Sequence, residues 1–348
     1  MTNKNLHSQY KLLKNLDRLI SWKETGFAYP ILVGFNLTNS CNNRCPACTS
    51  RVKNSAATSF EDAKYVIGQL KEIDVKAIGL GGGGDPTCHP NLEQIIRFVK
   101  DNEMEVAVCT NGCRMPEGVV DAIVNCCSWM RISLDADNPE IYKKTHGMDE
   151  RIFNQVLNNM SALAEKRRET KSDVVLGVTY LLGPHTIPGI YNAAKLVRER
   201  GMDYLRFRPF FEWNGKKENE IDGEAMFKEL RRCKELENED FSVSYPEERV
   251  ESAVNGRQRT YKICNVHHFN TLITPDLKLY PCCMLEDNEK YCLGDLNKQT
   301  FKEIWTSEKR KRVYQQINLN DCPNPCMLDG HNELLDAINR GILHSNFL

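Results

Sequence analysis

Between residues 29 and 212 short apolar runs alternate with longer amphipathic stretches, and no other feature restricts the fold as much. The runs are ILVGFNL (31–37), VKAIGLGG (75–82), EVAVCTN (105–111), WMRISLDA (129–136), VVLGVTYLL (174–182) and YLRFRPF (204–210). The segments between them are long enough to form helices, among them FEDAKYVIGQLKEI, NLEQIIRFVKDN, PEGVVDAIVNC and GIYNAAKLVRERG. Parallel strands need such crossovers, so the pattern predicts an α/β fold with six strands in a parallel sheet. Gly201 is placed to cap the last of these helices. In sheets of this kind the loops after the strands carry the chemistry.

The 348 residues hold 46 basic and 47 acidic side chains, a formal net charge of -1. That balance argues against nucleic-acid binding, which usually needs a basic excess. The longest apolar run falls far short of a membrane span, and the charged N-terminus lacks the apolar core of a signal peptide. A cytoplasmic chain with no membrane contact is expected. Fifteen cysteines then stand out, because a reducing compartment disfavours disulfides and leaves metal or redox chemistry as the better use. Cys41, Cys45 and Cys48 form one group, and six more crowd the last quarter. Cys88, Cys109, Cys113, Cys126, Cys127 and Cys233 are scattered and read as small core residues.

Five segments are expected: an N-terminal helical arm (1–28), the β-α core (29–212), a charge-rich connector with one helix and no strand (213–258), a cysteine-bearing tail (259–330) and a closing helix with its end (331–348). The tail opens with the hairpin FNTLITPDLKLYPCC, turning at Pro275 and Asp276. Helices are expected near 299–317 and 331–341.

Cys41-Asn-Asn-Arg-Cys45-Pro-Ala-Cys48 follows the first strand. Three thiolates in eight residues can ligate three irons of a 4Fe-4S cube, leaving the fourth iron open; structural zinc would want four protein ligands. This spacing resembles the radical S-adenosylmethionine superfamily, in which the open iron chelates S-adenosylmethionine. The resemblance implies a partial (β/α)6 TIM-like barrel, and it extends beyond the cysteines. Gly81-Gly82-Gly83-Gly84-Asp85-Pro86 is similar to the family segment that receives the methionyl amino group, with Asp85 in place of the usual Glu. The resemblance thus assigns cofactor binding to Gly83, Gly84 and Asp85, the glycines letting backbone carbonyls approach the ligand. Asn111 in Thr110-Asn111-Gly112 joins them, as do Ser133 and Asp135, where polar side chains commonly hold the ribose. Ala47 departs from the family, which often has an aromatic residue there near the adenine.

In the tail, Cys264 and Cys282 flank the hairpin, and Gly294, Trp305 and Cys322-Pro-Asn-Pro-Cys326 follow. This order resembles the SPASM and twitch auxiliary-cluster extensions. Cys264, Cys282, Cys322 and Cys326 would enclose a second 4Fe-4S cluster, while Cys283 and Cys292 are left over. A zinc ribbon is the competing reading. Cys283, next to an expected ligand, should point to the other side of its strand. It is a buried spacer, a ligand in altered register, or a thiol facing the barrel. Some peptide epimerases of the superfamily use a cysteine after a similar Tyr-Pro-Cys-Cys as hydrogen-atom donor, which makes Cys283 the candidate catalytic residue.

The resemblance implies reductive cleavage of S-adenosylmethionine to a 5′-deoxyadenosyl radical, with a flavodoxin- or ferredoxin-like protein as low-potential electron donor. Hydrogen abstraction would then end in epimerisation or dehydrogenation. About 28 residues precede the first strand, too few for a leader-recognition domain, so a small polar substrate such as a sugar or aminocyclitol is expected ahead of a peptide. Arg206 and Arg208, with Glu212 and Trp213, are candidates for the substrate side. Two alternatives stay open: a peptide-modifying enzyme, and a non-catalytic iron-sulfur carrier or redox sensor. The carrier reading leaves the glycine-rich segment unexplained.

Overall fold

The computed structural model describes residues 8–48, 54–209, 222–256, 258–286 and 288–341. Helix α1 (Leu16–Thr25) leads to β1 (Leu32–Phe35). Strand and helix then alternate through α2 (Phe60–Glu72), β2 (Ala77–Leu80), α3 (Leu92–Asp101), β3 (Glu105–Thr110), α4 (Glu117–Cys126) and β4 (Trp129–Ser133). Two helices, α5 (Pro139–His146) and α6 (Glu150–Thr170), precede β5 (Val175–Leu182), and α7 (Ile190–Glu199) precedes β6 (Tyr204–Pro209). All six expected strands form, pair in parallel and follow chain order. This is the partial (β/α)6 barrel anticipated above.

The helices form because each carries one apolar face and a cap. In α2, Ala63, Val66, Ile67 and Leu70 are buried at helical spacing, and the Ser59 side chain accepts the amide of Asp62 at the first turn. Gly201, just past α7, is left-handed with φ +74°, the conformation a helix end favours and glycine tolerates.

The connector differs from expectation. It holds α8 (Gly223–Cys233), a seventh strand β7 (Ser242–Ser244) and α9 (Glu247–Asn255). Three residues suffice for β7 because β6 offers a free edge, and β7 pairs with it in parallel from Tyr204↔Ser242 to Arg206↔Ser244. Such a strand is too short to leave a periodic signal.

The tail also joins the sheet. Its hairpin strands are β8 (Asn270–Ile273) and β9 (Lys278–Tyr280), followed by β10 (Gly294–Asp295). β8 lies parallel to β1, so one ten-stranded sheet runs β10-β9-β8-β1-β2-β3-β4-β5-β6-β7. The segment near 299–317 is two helices, α10 (Phe301–Thr306) and α11 (Glu308–Gln315). Ser307 separates them: its extended backbone ends the first, and its side chain accepts the Arg310 amide to start the second. Helix α12 (Asp329–Arg340) closes the described chain. No helix among the described residues is long and apolar enough to cross a membrane.

Strand residues point alternately to the two faces of the sheet. Val33, Phe35, Ile78, Leu80, Val106, Val108, Met130, Ile132, Leu205 and Phe207 are buried in the main core. The intervening positions, on the opposite face, include Gly34, Gly79, Ala107, Cys109, Arg131, Gly177, Arg206 and Arg208. The inner face of the barrel is thus built from small and charged residues, where barrels of this class usually pack branched apolar ones.

The N-terminal arm is clamped by the tail, because Leu12, Leu19 and Trp22 share a second core with Val266, Phe269 and Leu335. Trp22 meets Phe269 edge-on at 5.6 Å. Replacing Trp22 by Ala should cost about 3–5 kcal/mol in urea unfolding and open the arm to protease. Wild-type stability and cleavage in that variant would show that the arm is not anchored there.

Candidate active site

The loops after β1, β2, β3 and β4 meet at one end of the sheet, and glycine sets how closely. Gly82 and Gly83 have φ of +92° and +62°. A Cβ at Gly82 would stand 2.7 Å from the Asn36 side-chain oxygen, and one at Gly84 would collide with the Ser40 carbonyl. The amide of Gly84 donates to Thr38 (2.7 Å) and that of Asp85 to Ser40 (2.9 Å). The glycine run therefore makes room for the cysteine-bearing loop.

Asp85 is buried, and its carboxylate is engaged by the protein. Oδ1 accepts the Thr87 amide (2.9 Å) and hydroxyl (2.5 Å), and Oδ2 accepts the Asn111 amide (2.6 Å). The Thr110 hydroxyl reaches both oxygens at 2.9 Å. Asn111 passes the connection on: its Nδ2 donates to Asn42 Oδ1 (2.7 Å) and lies 3.8 Å from Cys41 Sγ. Asp85 thereby ties the loop after β2 to the loop after β3, which in turn holds the loop after β1. Its shorter reach than Glu suits that inward role.

Cys41, Cys45 and Cys48 stand within electrostatic reach of one another. Loss of contact with water raises Cys41, with Asp85, Cys88 and Cys48 adding to the effect. Cys45 is pushed up to about 12, first by burial and then by Cys41, Cys48 and Asp135. Thiols so placed resist ionising together unless a cation is present. The seven sulfurs of interest are neighbours and not closed ligand sets: among the described residues, no three His, Cys, Asp or Glu side chains form a metal-holding group. Cys88, scattered in the sequence, accepts a backbone hydrogen bond from Asn42 inside this loop. Its place three residues after Asp85 was the available signal.

Asp135 and Ser133 follow β4. Asp135 has a left-handed φ of +43°, a strained conformation of the kind that collects at functional sites. Oδ1 accepts the Leu181 amide (2.7 Å) and Oδ2 lies 3.9 Å from His146 Nε2. Burial pushes Asp135 up to about 6 and His146 down to about 4, so each favours its neutral form. The Ser133 hydroxyl faces that of Thr179 at 3.4 Å. His146 was not anticipated; its carbonyl accepts the Arg44 amide between the first two cysteines (3.1 Å).

In the tail, Cys264, Cys282, Cys322 and Cys326 share one neighbourhood. Burial raises all four thiols, and mutual repulsion adds to it. Asn332 organises the approach: its Nδ2 donates to Cys264 Sγ (3.5 Å), and its Oδ1 accepts the amides of Asn265 and Val266 (2.7 and 3.0 Å). The Cys326 amide donates to Asp329 (2.7 Å). Cys292 lies apart in the main core, its Sγ 3.5 Å from the Gly294 carbonyl. Cys283 is exposed, and its thiol lies within electrostatic reach of Glu286, Cys326 and Arg208. Arg206 and Arg208 occupy the inner face of β6, whereas Glu212 and Trp213 lie outside the described residues.

Comparison with known proteins agrees with this layout. The family model of the Radical SAM superfamily matches residues 35–197, and that of the SPASM iron-sulfur cluster-binding domain matches 264–327. The chain is 29% identical over 133 residues to the mycofactocin maturase MftC of Mycobacterium ulcerans, covering 37% of this chain and 36% of the maturase. It thus spans about a third of that relative's length. The AdoMet-dependent heme synthase of Methanosarcina barkeri is 23% identical over 309 residues, covering 79% of this chain and 82% of the synthase. Streptococcus suis SuiB bound to S-adenosylmethionine shares the fold, with a TM-score of 0.69 at 12% identity over 90% of this chain and 77% of SuiB. SuiB bound to its precursor peptide SuiA gives 0.68 at 13% identity, covering 90% of this chain and 73% of that one.

Replacing Asp85 by Asn would turn a donor toward Thr110 or Asn111 and strand a buried amide. The expected cost is about 1–3 kcal/mol in urea unfolding, before any ligand is added. Unchanged unfolding with weakened S-adenosylmethionine binding would return Asp85 to the cofactor.

Proposed function

Because the chain belongs to the radical SAM superfamily and carries an iron-sulfur SPASM domain behind its core, we propose that it is a peptide-modifying radical enzyme. The observation that carries this reading is the sequence similarity of its core to a mycofactocin maturase, 29% over 133 residues. The likeness in fold to a protein solved with its precursor peptide is in keeping with it. These relatives favour a peptide over the small polar metabolite expected from the sequence.

Cys41, Cys45 and Cys48 would hold the catalytic 4Fe-4S cluster, and Cys264, Cys282, Cys322 and Cys326 one auxiliary cluster. When bound, the catalytic cluster and S-adenosylmethionine supply one-electron reduction and a 5′-deoxyadenosyl radical that takes a hydrogen atom from substrate. The chain's own part is placement. The links from Asp85 through Asn111 set the loop of Cys41, and Gly82 to Gly84 let that loop sit close to its neighbour. Ser133 and Asp135, at the end of β4, are candidates to orient the cofactor's ribose. Burial keeps Asp135 neutral below about pH 6 and ionised above it, so its capacity to accept hydrogen bonds grows as pH rises through that value. Cys283, within electrostatic reach of Arg208, is the thiol we assign to return a hydrogen atom to the substrate radical from the tail side, the thiyl left behind being restored by one electron from the proposed donor and one solvent proton. A flavodoxin- or ferredoxin-like donor is the proposed electron source.

Two experiments test this. Replacing Cys41, Cys45 and Cys48 together by Ala should remove about four irons per chain and abolish 5′-deoxyadenosine formation under a strong reductant, read by mass spectrometry. Undiminished product from the triple variant would end the radical reading. A Cys283→Ala variant should still form 5′-deoxyadenosine, but its peptide product should lack the single solvent deuterium gained by wild type in deuterium oxide. A wild-type product two mass units lighter, without deuterium, would mean dehydrogenation and remove Cys283 from the chemistry.

A further inference from the structure

Three arginines project from the inner faces of neighbouring barrel strands. Arg131 lies on β4, paired with Cys109 of β3 and Gly177 of β5. Arg206 and Arg208 lie two residues apart on β6, opposite Thr179 and Leu181 of β5. Their neighbours in sequence, Met130, Ile132, Leu205 and Phe207, belong to the main core, so alternation sends the arginines the other way, into the lumen. Glycine at 34, 79 and 177 and alanine at 107 keep the same face low. At Gly177 the room is taken by the Tyr204 ring, which a Cβ would strike.

Among the described residues, none of the three arginines makes an ion pair. Arg131 instead donates to the Cys109 thiol at 3.4 Å, and Arg206 Nε is buried with no hydrogen-bond partner. Asp135 is the carboxyl that feels Arg208, and its first oxygen already accepts the Leu181 amide. Arg249, a fourth cation in the group, is drawn toward Cys326 and Asp329 of the tail. Burial, and after it the neighbouring arginines, lower Arg206 to about 9 and Arg208 to about 10. All three side chains remain partly accessible, so the lumen is not sealed around them.

Clustered guanidiniums lacking counter-ions are costly to hold away from water, and a fold selected for stability alone would place apolar residues there. Their planar forks match carboxylate and phosphate oxygens, two at a time. We infer that Arg131, Arg206 and Arg208 form a binding site for an oxyanion of the substrate, so the group presented to the radical carries a carboxylate or a phosphate close to the reacting carbon. For the peptide substrate proposed above, on which this part rests, that group is an acidic side chain or a chain-end carboxylate beside the modified residue. The site also stands at the end of the barrel where Cys283 meets Arg208, so an anchored anion would hold the neighbouring carbon between the first cysteine loop and the tail.

The test is a binding measurement on anaerobically reconstituted holoenzyme without reductant, so that no turnover is needed. Inorganic phosphate, glutarate and a matched pair of short peptides, one with Glu and one with Gln, are titrated by calorimetry at constant ionic strength. Wild type should bind at least one anionic probe, and the Gln peptide should bind no better than buffer. Arg206→Met and Arg208→Met should each weaken that binding about tenfold or more, while Arg97→Met on the surface should not. Without ligand, Arg206→Met should unfold at the wild-type temperature or above, since it removes a buried charge. If Arg208→Met fails to fold, Arg208→Gln replaces it. Preference for the Glu peptide identifies the peptide as the source of the anion. Binding of phosphate or glutarate alone, lost in the arginine variants, keeps the anion site and sinks the peptide reading instead. The anion site itself is overturned by equal binding in wild type and variants, by no binding of any anion, or by marked destabilisation of ligand-free Arg206→Met. Loss of all anion binding once S-adenosylmethionine is saturating would also overturn it, because the arginines would then serve the cofactor's own carboxylate.

Discussion

At Gly84 a methyl group would occupy the place of the Ser40 carbonyl, and the arrangement of the reactive end follows from that contact. Only a residue without Cβ lets the loop after β2 lie against the loop after β1, where the amides of Gly84 and Asp85 can reach Thr38 and Ser40. The contact turns the Asp85 carboxylate inward to Thr87, Thr110 and Asn111, and Asn111 returns to Asn42 and the Cys41 sulfur. Three loops from three strands thus form a closed circuit of hydrogen bonds. The first cysteine group is positioned by its neighbouring loops, as the cluster-holding role proposed for it would require.

The two faces of the sheet divide the protein's tasks. Toward the helices the strands present a continuous apolar core, which supplies the stability of the barrel. Toward the lumen they present glycines, a tyrosine, polar side chains and arginines. Burial of guanidinium groups there opposes stability, and the apolar layer outside offsets it.

The tail belongs to the same construction. β8 extends the sheet beside β1, and further bonds tie tail to barrel: Thr58 Oγ1 donates to the Pro275 carbonyl (3.2 Å), and the Phe301 amide donates to Gln69 (2.6 Å). Trp305 donates through Nε1 to the Ala28 carbonyl (2.8 Å), and Asn36, at the end of β1, donates to Glu286 (2.8 Å). The cysteine-bearing tail and the loops after β1 to β4 are therefore joined to one continuous sheet.

What the sequence determined by itself is local. Six strands and their helices were legible because periodicity acts over ten or so residues, and the two cysteine groups were legible because ligand spacing is short in the chain. Contacts between distant segments were not. The sequence carries no mark that β8 would pair with β1, that three residues at Ser242 would form a strand on a free edge, or that Cys88 would lie against Asn42. Arg131 looked like one polar residue in an apolar run, and its meaning came only when the sheet set it near Arg206 and Arg208. Asp85 was legible as an acid in a recognisable motif, yet whether it faces a ligand or its own protein depended on how near Thr110 and Asn111 came. Residue type and spacing decide what a side chain can bind; the packing of strands and loops decides which partner is within 3 Å of it, and tertiary structure alone supplies that distance.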